Sequence, residues 1–284
     1  MGLTTLLGLR RKSAAARRAT GAVTPLGWRA HGDSAMNNIL PEPGCFHIND
    51  GPHYHDVLRE LHRILKPDWY LEVGSRGGRS LQFVECGFVA IDPVFRDFPL
   101  PAQARGDMHF LVRTSDEAFA SKMLEKLGVV PDFGFLDGMH LSEFVMRDLI
   151  NFEGVARPGA VVALHDCLPC SHEMESRDTS VPATGMPWTG DVWKVLLWVL
   201  RKRPDLDVAV LDAYKTGLVV ISGLDPTSTV LQDSYDDFVA EFSGVRLRDF
   251  GTDRFFDSFE IQSSHRYLKT LAAAPRHHRG QIDG

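Results

Sequence analysis

The chain predicts an α/β fold, a mostly parallel sheet with helices on both faces, and three observations carry that expectation. The first is the stretch Tyr70-Leu-Glu-Val-Gly-Ser-Arg-Gly-Gly-Arg-Ser80. Trp69 to Val73 is a short, mostly apolar run, long enough for a buried strand and too short for a helix. Gly74, Gly77 and Gly78 then supply a turn where backbone can approach a ligand without a Cβ in the way. After Ser80, Leu81-Gln-Phe-Val84 resumes at helical spacing, giving the strand, glycine turn and helix that present backbone N–H groups and a helix N-terminus to a cofactor. The second observation is that further apolar strands alternate with helical stretches along the chain. The third is Ala160-Val-Val-Ala-Leu-His-Asp166, apolar without alternation, as a parallel strand covered on both faces requires.

Composition narrows the class. A chain of 284 residues, 44% apolar and 24% charged, can bury a sizeable core and suits one elaborated domain. No apolar run approaches the ~20 residues that span a bilayer, so no transmembrane segment is expected. Charge is uneven: residues 1–32 carry +6, and the remainder carries 25 basic against 37 acidic side chains, or −12. An acidic body argues against a nucleic-acid backbone as ligand. Cys45, Cys86, Cys167 and Cys170 are too few and too irregular for a secreted disulfide scaffold, which points to a reducing compartment, the cytoplasm.

Taken in order, residues 1–40 read as a basic tail or a short surface helix. The myristoylation pattern fails there, because Leu6 stands where Ser or Thr is required. Val57, Leu58, Leu61 and Leu65 recur at helical spacing and Lys66-Pro67 ends that run. Gly87-Phe-Val-Ala-Ile-Asp92 is the next strand, and His109-Phe-Leu-Val-Arg-Thr-Ser-Asp116 is a third that runs into a helix cap. Asp132-Phe-Gly-Phe-Leu-Asp137 and the run 160–166 follow, with a crossover helix over 141–152 between them. Residues 168–191 are too long a connection for a passive link, which suggests a lid or binding loop. A helix over 192–201 comes next. The strands Asp207-Val-Ala-Val-Leu211 and Gly217-Leu-Val-Val-Ile-Ser222 are joined by so short a link that they must be antiparallel. Beyond Gly223 a helix is expected near Tyr235–Phe242, and disorder from Ala272 to Gly284. The resulting division is a tail over 1–40, a core domain over 41–225 and an appendage over 226–284.

The glycine turn excludes two common ligands. A dinucleotide fingerprint counted from Gly74 would put Arg76 and Arg79 on its second and third glycines, and a P-loop would need a lysine where Arg79 stands. Asp92 lies 18 residues past Gly74, about where a nucleoside-binding fold places the carboxylate for ribose hydroxyls. Asp137-Gly-Met-His140 closes the fourth strand and His165-Asp166-Cys167 the fifth. Neighbouring strands lie about 4.8 Å apart, so Asp137 and Asp166 would emerge side by side if those strands are adjacent. Two carboxylates that close repel unless a cation or proton sits between them, and Mg²⁺ or another hard divalent ion suits the position. His140 is the candidate general base, since a neutral imidazole can take a hydroxyl proton near neutral pH. Bracing the following helix is its structural alternative.

The acid-x-Gly-x-x-x-Gly of Glu72, Gly74 and Gly78 resembles the first motif of class I S-adenosylmethionine (SAM) methyltransferases. With Asp92, the stretch from Asp137-Gly-Met-His140 through Asp148-Leu149 and Pro158-Gly159 to His165-Asp166 is similar to methyltransferase domain family 24. Together these cover about residues 50–225. The resemblance implies a Rossmann-like sheet of seven strands, mostly parallel, with a terminal antiparallel strand. It also implies SAM held by Glu72, Gly74, Ser75, Gly78, Ser80, Asp92 and Asp137, with Ser115 and Asp116 beside the adenine. Related catechol-type O-methyltransferases bind a divalent metal through acids at these strand ends, followed by Asn. Here Asp137 and Asp166 stand at the acid positions and Cys167 at the Asn position. Cys167-Leu-Pro-Cys170 reads as structural thiols, with a redox pair or half a zinc site as alternatives. Trp188, Asp191, Trp193 and Lys194 either anchor the long loop or line an acceptor pocket.

The function expected is methyl transfer from SAM to a hydroxyl of a small molecule, such as a sugar or secondary metabolite, with metal assistance an option. Nitrogen acceptors stay open, as does a homo-oligomer. The alternatives are an inactive partner protein that keeps the fold, and a nicotinamide oxidoreductase, which Arg76 and Arg79 disfavour.

Overall fold

The computed structural model describes residues 45–181 and 188–274. The basic tail expected over 1–40 lies outside the described residues, as does the expected disordered end except for its first three positions. Helix α1 (Tyr54–Leu65) leads into strand β1 (Trp69–Val73), then β2 (Gly87–Asp92) and β3 (Met108–Val112). After α2 (Ser115–Ala120) and α3 (Met123–Leu127) come β4 (Phe133–Leu136), α4 (Ser142–Val155), β5 (Val161–His165) and α5 (Trp193–Lys202). Strands β6 (Asp207–Leu211) and β7 (Leu218–Ser222) precede four short helices, α6 (Val230–Asp233), α7 (Tyr235–Phe242), α8 (Leu247–Phe250) and α9 (Thr252–Phe256). The described chain closes with β8 (Ile261–Gln262) and α10 (Ser264–Ala273).

The strands form one sheet in the order β3-β2-β1-β4-β5-β7-β6-β8. β1 to β5 are mutually parallel, and β7 is antiparallel to both β5 and β6. This is the mostly parallel, Rossmann-like arrangement that the sequence predicts, with the reversed strand inserted beside β5. Side chains alternate across the pleat, so each strand feeds two cores. Leu71, Val89, Leu136, Val162 and Val219 bury on one face with α4 and α5, whereas Tyr70, Phe88, Phe135, Ala163 and Val220 bury on the other with α1 and Leu268 of α10. Both faces are dry, which explains the unbroken apolar runs of β2 and β5.

Two features depart from expectation. The sheet has an eighth strand: β8 pairs in parallel with β6 through Val210 to Ile261 and Leu211 to Gln262. A two-residue strand carries no readable period. It is held instead by Asp212, whose Oδ1 accepts from the Ser264 backbone N–H at 2.7 Å and from its hydroxyl at 2.6 Å. The second departure is the helix expected after the glycine turn, which is only a 3₁₀ turn over Ser80–Phe83. Thirteen residues separate Val73 from Gly87, and the turn takes the first six, which leaves seven for any helix and the return to β2. Backbone and side chains of the turn, rather than a helix dipole, must therefore meet any ligand there.

The register sets the working edge. Val73 pairs with Ile91 and Leu136, and Leu136 pairs with Leu164. The residues that follow, Gly74, Asp92, Asp137 and His165-Asp166, thus leave the sheet side by side at its carboxyl edge. This includes the switch point between β1 and β4, where open sheets bind ligands. Gly74 is required for that closeness: its φ is +93°, and an added Cβ would overlap the Asp137 carbonyl. Gly74→Ala should therefore lower stability by about 2 kcal/mol or more, through backbone strain plus overpacking. Urea unfolding measures it, and a loss below about 0.5 kcal/mol would mean that the two strand ends can part freely.

Candidate active site

Glu72, the one acid inside the β1 strand, is 1% exposed and organises the turn. Tyr70 Oη donates to its Oε2 and Ser80 Oγ to its Oε1, each at 2.7 Å. Burial pushes its carboxyl up to about 7, although the bonds from Ser80 and Tyr70 and the nearby Ser75 oppose that rise. Ser75 Oγ is buried beside it without a hydrogen-bond partner, an orphaned donor and acceptor of the kind a ligand's polar end would satisfy. Asp92 spans the turn from the neighbouring strand. Its Oδ2 accepts from the Arg76 N–H and its Oδ1 from the Val94 N–H, both at 2.8 Å, with a second lone pair on each oxygen still to give. Gly78 serves packing, since the Phe98 ring occupies the space of a Cβ, while Gly77 opens onto clear space. Glu72, Ser75, Ser80 and Asp92 thus set two carboxylates and two hydroxyls around the turn that Gly74 opens.

The fourth and fifth strands bring the predicted acids together. Asp137 Oδ1 lies 3.1 Å from His165 Nδ1 and 3.4 Å from His140 Nε2. Asp166 Oδ1 is 3.4 Å from His165 Nδ1, and its Oδ2 is 3.4 Å from His140 Nδ1. Thr216, just before β7, donates to Asp166 Oδ1 at 2.6 Å, because the antiparallel register sets Leu218 opposite His165. Burial alone would depress both imidazoles and raise both acids. The close pairing outweighs it: His165 is pushed up to about 10 by Asp166 and Asp137, and His140 is raised by the same two acids. Asp137 and Asp166 are held below the usual carboxylate range, chiefly by His165. The two close carboxylates thus favour the protonated form of the imidazoles that they share. Asp166 has a φ of +58°, a conformation that costs a non-glycine residue about 1–3 kcal/mol and concentrates at functional sites.

A divalent ion also fits these donors. Asp137, His140 and Asp166 offer ligand atoms within 4.8 Å of one another. One nitrogen with two oxygens departs from the all-oxygen set that Mg²⁺ prefers and admits borderline ions such as Mn²⁺ or Zn²⁺. Cys167 contributes nothing, for its buried thiol turns back toward the Leu164 and His165 carbonyls, at 3.9 and 3.6 Å.

The long connection closes over His140. Its Nδ1 lies 3.0 Å from the Trp188 carbonyl, and the two rings stack with centroids 4.9 Å apart. The Asp191 N–H donates to the His140 carbonyl, and Gly190 packs so tightly there that a Cβ would overlap that oxygen. Asp191, Trp193 and Lys194 are not brought to the site. Asp191 accepts from the Ser142 N–H, Arg177 and Lys194, so it ties the loop to α4. Lys194 is buried on Asp191 and the Phe242 carbonyl, and Trp193 is wholly buried against Phe242, Phe250 and Phe255. They anchor the loop, and among the four only Trp188 faces the site. Ser115 and Asp116 open α2 behind a capping box made by Thr114 and Glu117, and Asp116 is paired with Arg147.

Two residues at the site carry no role in the sequence reading. His165 was legible only as part of its motif. Tyr54, on α1, packs its ring against His165 at a tilt of 33°, with centroids 3.9 Å apart. Burial raises its hydroxyl pKa, and the charges of Asp137, Asp166 and Glu72 raise it further; the aromatic run His53-Tyr54-His55 was the signal available.

No family model matches the chain, and no curated protein matches it. Solved structures do. The chain is similar to an O-methyltransferase from Bacillus cereus in complex with S-adenosylhomocysteine (SAH), at 16% identity over 60% of this chain and 80% of that one, TM-score 0.42. It is similar to the O-methyltransferase TomG from Streptomyces achromogenes in complex with SAM, at 16% over 60% and 79%, TM-score 0.40. It is also similar to the SAH-bound Podospora anserina methyltransferase PaMTH1, at 16% over 61% and 78%, TM-score 0.42. At such identities and scores, a reading of function rests on this chain's own residues.

The raised Glu72 has a measurable signature. Its folded value near 7 exceeds the ordinary 4.5, so between those values the native state binds more protons than the unfolded chain. Glu72 therefore costs nothing below about pH 4.5 and lowers stability increasingly as pH rises to about 7. Glu72→Gln should gain on the wild type by about 1.4 kcal/mol per pH unit across that window. Urea unfolding at pH 5 and pH 8 tests this, and a wild-type-to-variant difference independent of pH would refute it.

Proposed function

We propose that the chain is a SAM-dependent methyltransferase acting on a hydroxyl of a small molecule. The observation that carries the reading is the carboxyl edge itself, where the Glu72–Gly74 turn, Asp92 and the Asp137–His140–Asp166 group converge. SAM supplies the reactive methyl when bound, and the protein's part is to bind, align and manage one proton. Glu72 and Ser75 would receive its amino-acid end, Asp92 the ribose hydroxyls, and Ser115 with Asp116 the adenine side. His140 would take the acceptor proton at Nε2, with Nδ1–H directed to the Trp188 carbonyl and the ring held in place by that stack. Asp137 would orient His140 and stabilise the imidazolium that forms. Asp137 and Asp166 would be the carboxylates that hold a divalent ion, which when bound would polarise the acceptor oxygen and leave the Nε2 lone pair of His140 for the proton. We place the activity in residues 41–225, with 226–284 as an appendage, and in the reducing cytoplasm that the cysteine usage suggests. No helix among the described residues is long and apolar enough to cross a membrane.

Two measurements test this reading. Calorimetry with SAM and NAD side by side should give binding for SAM only, and Asp92→Ala should weaken it by about 1–3 kcal/mol, the scale of hydrogen bonds to a charged group. Affinity for NAD, or unchanged SAM affinity in folded Asp92→Ala, would move the site or change the class. For the chemistry, turnover against a panel of hydroxylated acceptors should fall about 10²–10⁴-fold in His140→Ala, while SAM affinity holds. Asp137→Asn should likewise lose activity. Wild-type turnover in His140→Ala would leave the residue as a brace only.

A further inference from the structure

The sequence sets Cys170 beside Cys167 in a C-x-x-C, but the fold pairs it elsewhere. Cys45 Sγ lies 3.4 Å from Cys170 Sγ, across 125 residues of chain. The approach is built by backbone, since the Phe46 N–H donates to the Cys170 carbonyl at 2.8 Å. Phe46 is seated against the His172 ring at 4.9 Å and Phe256 at 6.1 Å. A few residues on, Asn49 bridges Lys215 and the Gly51 N–H donates to the Asp212 carbonyl. The segment is therefore pinned from the residue that follows the thiol onward. Cys167 is no competitor, because its Sγ faces the Leu164 and His165 carbonyls.

We propose that Cys45 and Cys170 form an oxidant-responsive disulfide site, taking a peroxide as its co-substrate. Exposure divides the two roles. Cys45 is half-buried and within reach of solvent, whereas Cys170 is fully buried with its thiol directed to Met174 Sδ at 3.0 Å. The Cys45 thiol gives up its proton, its sulfur attacks one peroxide oxygen and the O–O bond breaks; the hydroxide released takes up that proton and leaves as water, with Cys45 as a sulfenic acid. The Cys170 sulfur then attacks the Cys45 sulfur, the S–O bond breaks, and a second water leaves. Two thiols are oxidised and one peroxide is reduced. Bond formation needs the sulfurs to close from 3.4 Å to about 2.05 Å. The link would tie the segment entering α1, which carries Tyr54, to the connection that begins just after Asp166.

The test uses the full chain with hydrogen peroxide, followed by alkylation and non-reducing peptide mass spectrometry. Two of the four thiols should disappear, the Cys45 and Cys170 peptides should be joined, and a thiol reductant should restore both. Because the fold holds the sulfurs in contact, this link should form at least about tenfold faster in native protein than in urea. Cys167→Ser should leave it intact. Cys45→Ser, at the more accessible position, should abolish it. A Cys167–Cys170 link, or Cys45 ending as sulfinic acid with Cys170 still a thiol, would overturn the proposal.

Discussion

Two carboxylates held together at the ends of β4 and β5 are the constraint that the rest of the site answers. Asp137 and Asp166 share both imidazoles within 3.1–3.4 Å. Parallel strands at ordinary spacing leave the acids no room to separate, so their charge must be met where they stand. His165 meets it from within the strand, His140 from the start of the next connection, and Thr216 from the turn before the reversed strand. Removing one partner would leave a mostly buried charge uncompensated, which costs far more than the pair itself contributes.

The surroundings follow from that arrangement. Asp166 accepts an unfavourable backbone conformation to turn its carboxylate toward both rings. The connection after β5 returns over His140, and only a glycine at position 190 allows the backbone so close. Asp191, Lys194 and Arg177 fasten that return to α4 and α5 through buried or partly buried ion pairs. On the other side, Glu72 stays neutral at slightly acidic pH inside a shell of hydroxyls. A cationic ligand end beside it would favour the ionised form and complete the charge balance.

Most of the central sheet was legible because its signals are local. Unbroken apolar runs mark β2 and β5, and the five-residue link forces β6 and β7 antiparallel. Asp92, Asp137 and Asp166 were legible because each ends a strand. What escaped depends on contacts between distant segments. Tyr54 reaches His165 across more than a hundred residues, and β8 is two residues long and held by the Asp212 side chain. Trp193 and Lys194 look like pocket residues in one dimension, yet the helix they open buries both. The helix expected after the glycine turn is shortened to a 3₁₀ turn, in a connection of only thirteen residues between β1 and β2.

The most direct measurement is an electron-density map of the protein crystallised with S-adenosylhomocysteine. The amino-acid end should lie at Glu72 and Ser75, the ribose at Asp92, and the sulfur should point toward Asp137 and His140. Density bound elsewhere, or none at saturating ligand, would contradict the carboxyl-edge site on which this reading of the molecule depends.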